Sequence, residues 1–168
     1  LATNFWTDFL LTISHFMNPT VNHSHYMSLA LLQAKKSGQD VPVGCVIVVD
    51  GQIIGSGHNE RESTGDPTAH AEIVAIRLAA KKLGKWRLEG ATLYTTLEPC
   101  PMCAEAIIQS RVQRVVFGAY DNVSGALGSK FNLFCAGRIY PIPEVLAGVE
   151  EEACRKMLID YFAYKRER

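Results

Sequence analysis

The sequence has no excess of charge of either sign, because 17 Lys and Arg are offset by 17 Asp and Glu. A protein that coats nucleic acid by bulk electrostatics is therefore not expected, and a polyanionic partner would have to meet a local basic patch. Long apolar runs are missing too. The most apolar N-terminal stretch, Phe5 to Met17, is interrupted by Thr7, Asp8, Thr12, Ser14 and His15 and is too short to span a bilayer. It also lacks the basic leader and small-residue cleavage site of a secretory signal. Cysteine is sparse and odd in number, at five. A secreted disulfide framework normally has an even count in a shorter chain. The expectation is thus a reducing, cytoplasmic setting, with Cys100 and Cys103 as metal or redox candidates.

What is present suits a single packed domain. The 168 residues are 48% hydrophobic and 20% charged, without repeats or linkers, and the composition of a disordered chain is not met. Residues 1–22 show no helix or strand period and are expected to be an N-terminal extension, either flexible or lying upstream of a true start at Met17 or Met27. Residues 23–168 are expected to form the domain. Tyr26, Leu29, Ala30, Leu32 and Ala34 predict a helix that stops at Ser37-Gly38. Pro42 to Val49 and Gln52 to Gly57, joined by Asp50-Gly51, predict a β-hairpin. A polar loop, Asn59 to Pro67, leads to a helix with Ile73, Val74, Ile76, Ala79 and Ala80 as its apolar face and Lys81, Lys82 and Gly84 at its end. Ala91 to Leu97 reads as a buried strand, Cys100 to Ser110 as a helix opened by Pro99, and Val112 to Ala119 as another strand. A Gly- and Ser-rich loop follows from Asp121 to Gly137, and a long final helix is predicted over Val149 to Arg168. That order implies a three-layer α/β fold with a mixed sheet between helices.

Chemistry concentrates at two predicted helix starts, His70-Ala71-Glu72 and Pro99-Cys100-Pro101-Met102-Cys103. Unpaired N–H groups at a helix N-terminus favour the thiolate that binds metal. One imidazole and two thiolates make three zinc ligands, the number of a catalytic site that keeps a position for water, whereas a structural site is closed by a fourth side chain. Cys135, Cys154 and His58 are available as a fourth, but none has chelate spacing to the pair. Glu72 meets a second need, a base for the water's proton and an acid for a leaving amine. One tension is that helix positions two apart lie roughly 200° apart, so His70 and Glu72 can serve one site only at the very first turn. Taken singly, each feature has a plainer reading. Cys-x-x-Cys is also a redox pair or half of a structural zinc site, His70 a core or surface histidine, and Glu72 an acid favoured by the helix dipole.

Together and in this order, the residues match the His-x-Glu…Pro-Cys-x-x-Cys signature of zinc deaminases that act on nucleobases. From about Tyr26 to Arg166 the chain resembles the bacterial tRNA-specific adenosine deaminases. The stretches that carry this are Pro42-Val43-Gly44, Gly57-His58-Asn59, Asp66 to Glu72, Thr95 to Cys103, Val116 to Asp121 and Gly125 to Ser129. The resemblance implies a cytidine-deaminase-like α/β/α fold with a central mixed five-stranded sheet. It implies one Zn2+ per subunit on His70, Cys100 and Cys103, with Glu72 as the catalytic proton shuttle. Asn59, Val43, Ala71, Asp121 and Phe162 would contact the target nucleotide or its surroundings. The implied reaction converts adenosine to inosine at the wobble position of a tRNA anticodon stem-loop, that of an arginine tRNA, by a homodimer, with no membrane or DNA partner. Two departures stand out. Cys45 replaces a usual Ala, and Asn122-Val123-Ser124 replaces a frequent Pro-Lys-Ala, which removes a cation from a loop expected to meet RNA.

Independent of the resemblance, Arg155, Lys156, Lys165, Arg166 and Arg168 interleave with Tyr161, Phe162 and Tyr164. A basic, aromatic surface suits splayed RNA bases, and the same pattern also suits a terminal helix with an apolar face on the core and a solvated charged side. Other functions compatible with the motif are a guanine or cytosine deaminase acting on free bases, a catalytically silent zinc-stabilised RNA-binding subunit, and thiol-disulfide exchange through Cys100 and Cys103.

Overall fold

The computed structural model describes residues 21–167, so the expectations for the first 20 residues and for Arg168 lie outside the described part. In chain order the elements are α1 (His23–Ala34), β1 (Gly44–Val49), β2 (Gln52–His58), α2 (Arg61–Thr64), α3 (Ala71–Leu83), β3 (Thr92–Leu97), α4 (Pro101–Gln109), β4 (Arg114–Ala119), β5 (Glu144–Leu146) and α5 (Glu151–Arg166). The strands form one five-stranded sheet in the order β2-β1-β3-β4-β5. β1 runs antiparallel to β2 and β3, while β3, β4 and β5 run parallel to each other. This is the mixed sheet that the sequence implied.

Alternation along the central strands builds the layers. Cys45, Ile47, Leu93 and Val115 point to one face, packing with Ala75 and Ala79 of α3 and Ile107 of α4. Their neighbours Val46, Val48, Tyr94 and Val116 point to the other, packing with Met27 and Ala30 of α1 and Cys154 of α5. Strands buried on both faces read as continuous apolar runs, which is why β1 and β4 stood out in the sequence. The Asp50-Gly51 turn has φ of 48° and 76°, both positive as a tight hairpin of matching twist requires.

Several boundaries and faces differ from expectation. α1 buries Met27, Ala30 and Ala34, while Leu32 is exposed. α3 buries Ala71, Ala75 and Ala79, and the bulkier Ile73, Val74 and Ile76 lie only partly covered. The cause is close approach to β2. A Cβ on Gly55 would lie 2.4 Å from the Ala75 carbonyl oxygen, and one on Gly57 would lie 2.5 Å from that of Ala71. With the helix seated on glycine, there is room beneath it for alanine but not for isoleucine. The predicted polar loop contains the single turn α2, and the fifth strand falls in a segment with no apolar alternation: all three of its residues are exposed. β5 is held by pairing with β4 and by the Arg114–Glu144 ion pair at 2.7 Å. Among the described residues no helix is long and apolar enough to cross a membrane.

Candidate metal centre and active site

The N-termini of α3 and α4 converge at the C-terminal ends of the parallel strands β3 and β4, the end of such sheets where ligands usually bind. His70 is the residue just before α3, with φ −75° and ψ 153°. Cys100 stands just before α4, with φ −72° and ψ 170°. Both are therefore in extended backbone ahead of the first helical turn. The angular conflict between His70 and Glu72 does not arise, because His70 is not on the helix. Pro101 opens α4, where its missing N–H needs no partner.

His70 Nδ1 lies 3.7 Å from Cys100 Sγ and 3.6 Å from Cys103 Sγ. Zinc bonds of about 2.3 Å to sulfur and about 2.0–2.1 Å to nitrogen, at tetrahedral angles, call for a nitrogen–sulfur edge of about 3.6 Å. Both nitrogen–sulfur edges therefore match that value, and all three donor atoms lie within 4.8 Å of one another. Among the described residues the cluster has three donors, which leaves a tetrahedral ion one position for a ligand from outside the protein. Cys154 points from α5 into the core, Cys135 is exposed, and His58 faces Glu60 at 3.5 Å.

Their mutual hydrogen bond pushes the two thiols in opposite directions. The Cys100 thiol is drawn down to about 4, first by the hydrogen bond from Cys103 and, against the opposing effect of burial, by that from His70. Cys103 is pushed far up, first because it donates to Cys100 and next by burial. His70 is raised by its hydrogen bond to Cys100, against burial. A thiolate thus waits at Cys100, and a cation entering the triangle displaces the Cys103 proton.

Glu72, in the first turn of α3, is 3% exposed. Its Oε1 accepts from the Thr95 hydroxyl at 3.4 Å and its Oε2 from the Cys103 thiol at 3.5 Å. Burial, above all, raises its pKa from the usual carboxylate value. The carboxyl therefore sits against the donor triangle with an enhanced hold on a proton.

A cavity of about 410 Å³ opens over His70, Glu72 and Cys100, walled among others by Val43, Asn59, Tyr120, Asp121, Leu158 and Phe162. A larger cavity, about 700 Å³, lies at the opposite end of the strands beside Tyr26, Tyr94 and Arg114 and contains none of the donors; the smaller one carries the chemistry. Of the residues expected to meet substrate, Val43, Asn59, Asp121 and Phe162 line the 410 Å³ cavity. Ala71 is placed differently. Its side chain is fully buried in the core under β2, and its N–H donates to Asn59 Oδ1 at 3.0 Å. Asn59 Nδ2 in turn donates to the Val41 carbonyl at 2.9 Å, so this side chain braces the start of α3. The Asp121 carboxylate accepts from the N–H groups of Val123 and Ser124 at 2.9 and 3.1 Å and from the Ser124 hydroxyl at 2.6 Å, which shapes its own turn. Phe162 is 46% exposed beside the cavity, while Tyr161 packs inward enough to donate its hydroxyl to the Gln39 carbonyl at 2.7 Å. Sequence reasoning gave no role to Thr95 or Glu98. The one available signal was polar residues at the end of an otherwise apolar strand, whose burial demands partners.

Residues 20–119 match the family model for the cytidine and deoxycytidylate deaminase zinc-binding region. The chain is 49% identical over 145 residues to a tRNA-specific adenosine deaminase of Bacillus subtilis, covering 85% of this chain and 90% of the relative. A solved structure from a study of A-to-I editing by tRNA:A34 deaminases superposes with a TM-score of 0.77 at 42% identity, covering 80% of this chain and 99% of the other. A guanine deaminase of Bacillus subtilis shares the fold at a TM-score of 0.59 and 33% identity, covering 87% and 95%. The chain belongs to the zinc-dependent cytidine and deoxycytidylate deaminase family and, within it, to the tRNA-specific adenosine deaminases.

Proposed function

We propose that the protein hydrolytically deaminates adenosine to inosine at the wobble position of a tRNA anticodon, that of an arginine tRNA, and that it does so as a homodimer in the cytoplasm. The observation that carries the chemistry is the triangle of His70, Cys100 and Cys103 with the buried Glu72 against it, at the floor of one cavity. The substrate reading follows the names of the relatives that match over most of both chains.

Zinc held by the triangle supplies Lewis-acid activation of water beside the base. The chain's own groups do the rest. Glu72 takes a proton from the attacking water and passes it to the ring nitrogen, then takes the proton of the added hydroxyl and delivers it to the departing amine, which leaves as ammonia. A positioned carboxyl that can both accept and return a proton serves both steps. Thr95, within 3.4 Å of Oε1, limits the swing of that carboxyl. Asn59, Val43 and Asp121 hold the nucleotide, and the ring of Phe162 offers a stacking face for a neighbouring base.

The test offers the purified protein an anticodon stem-loop with A at the wobble position, alongside free guanine and free cytosine. Inosine formation in the stem-loop, read by mass spectrometry, is expected. Turnover of free guanine or of free cytosine alone would replace the substrate assignment with that base, and a redox protein would yield no zinc and a reversible Cys100–Cys103 disulfide. Light scattering on the same preparation reads the homodimer.

A further inference from the structure

The stretch from Asp121 to Ser129, part of which walls the cavity, is gathered around one carboxylate. Glu98 is 2% exposed and follows β3 directly, two residues before the metal donor Cys100. Its Oε1 accepts from the backbone N–H groups of Leu127 at 2.9 Å and Ser129 at 3.1 Å. Its Oε2 accepts from the N–H of Asp121 at 3.1 Å and from the Ser129 hydroxyl. Three of these partners are backbone N–H groups, which can only donate, and a carboxylate is the one side chain that presents two acceptor-only oxygens. The chain passes so close that a Cβ on Gly125 would lie 2.5 Å from Glu98 Oε2. Around this hub the same two segments are joined again where the N–H of Ala126 donates to the Pro99 carbonyl at 2.8 Å, and the Glu98 N–H is itself held by the Ala119 carbonyl at the end of β4 at 2.9 Å.

We propose that Glu98 is a positioning residue for the substrate: by fastening the Asp121–Ser129 stretch to the segment that carries Cys100, it sets the spacing between the cavity wall and the metal-donor triangle. The residues that would touch the nucleotide are Tyr120, Asp121 and their neighbours, and Glu98 acts through them. The stretch has little regular pairing of its own, so the carboxylate replaces the ladder that a strand would provide. This inference rests on the deaminase reading and adds to it a determinant of substrate affinity.

Glu98→Gln is the sharpest variant. The amide is nearly isosteric, yet in either orientation its NH2 faces a backbone N–H, so a buried donor loses its acceptor. With the stem-loop substrate, KM is expected to rise about tenfold while kcat falls less than about threefold, at full zinc content. Amide hydrogen exchange is expected to speed up across residues 121–129 and to stay slow in α3 and α4. Unchanged KM with unchanged exchange would overturn the proposal. Loss of zinc with exchange unaltered in 121–129 would also overturn it, because Glu98 would then be a support for Cys100 alone. If Glu98→Gln does not accumulate as folded protein, Ser129→Ala decides. It removes one of the four donors, and its expected result is a smaller rise in KM at an unchanged unfolding temperature; an unchanged KM would count against the proposal. Hydrogen exchange does not depend on turnover. A wild-type protein inactive on the stem-loop would therefore refute the substrate while the exchange data still judge Glu98.

Discussion

In the proposed mechanism Glu72 and the three metal donors do separable work, and substitution should separate them. Glu72→Ala is expected to keep its zinc and to lose deamination by about 10²–10⁴-fold, the usual worth of a positioned general acid–base; turnover near that of the wild type at full zinc content would refute the shuttle role. Cys100→Ala is expected to lose most of its bound metal together with thermal stability, since the ligand bond and the folding energy coupled to it disappear at once. Metal analysis and a melting curve read both. The sign of the pH dependence follows from the thiols. Cys103 holds its proton far above the usual thiol range until a cation displaces it, so metal uptake releases a proton and apparent affinity rises with pH. A chelator competition giving the same affinity at pH 6 and pH 8 would contradict that exchange. At this scale the donor set was legible in the sequence, because ligand chemistry depends on residue type, spacing and position at a helix start. Ala71 and Glu98 were not legible. What each one does is decided by a segment distant in the chain, β2 and Asn59 for Ala71 and the 121–129 stretch for Glu98.

Among the elements, α3 matters most, since it is preceded by His70 and carries Glu72. Its height above the sheet is set by Gly55 and Gly57 of β2 rather than by its own sequence. Gly57→Ala should push a methyl group into the Ala71 carbonyl, destabilise the protein by about 1–3 kcal/mol, and weaken zinc affinity by shifting His70 relative to Cys103. An unfolding curve and a zinc titration check the two effects. A variant with normal stability and normal zinc affinity would show that α3 can ride over the extra methyl. The hairpin was readable from Asp50-Gly51 because its determinant is local. The faces of α1 and α3 were legible in part: Ala30, Ala34 and Ala79 are buried as expected and Ile76 packs against the core, whereas Leu32 is exposed and close approach to the sheet gives the fully buried positions to small residues. β5 was invisible, since pairing with β4 defines it and its own residues carry no pattern.

The molecule holds two of its thiols, Cys45 and Cys154, and the Tyr94 phenol inside its two cores. Burial raises Cys45 well above the ordinary thiol value, and raises Cys154 from 9.0 and Tyr94 from 10.0 to about 12 each. These groups lose their protons at lower pH in the unfolded chain than in the folded one. The unfolded state therefore binds fewer protons in this range, and stability falls as pH rises from about 9 towards about 12. Urea unfolding across that window is expected to show a steady decline in the midpoint. A flat midpoint would mean that the cores admit the charged forms.

The α/β class, the hairpin, the longer helices, the strands β3 and β4 and the metal-donor set were legible in the sequence alone, because periodicity, turn chemistry and ligand spacing are short-range properties of a chain. Tertiary structure decided which helix faces are buried, where the fifth strand runs, and how Glu98 assembles a cavity wall from a stretch about 30 residues away. Those outcomes depend on the distance between surfaces and on the pairing of buried donors with acceptors, and neither quantity exists until the chain has folded.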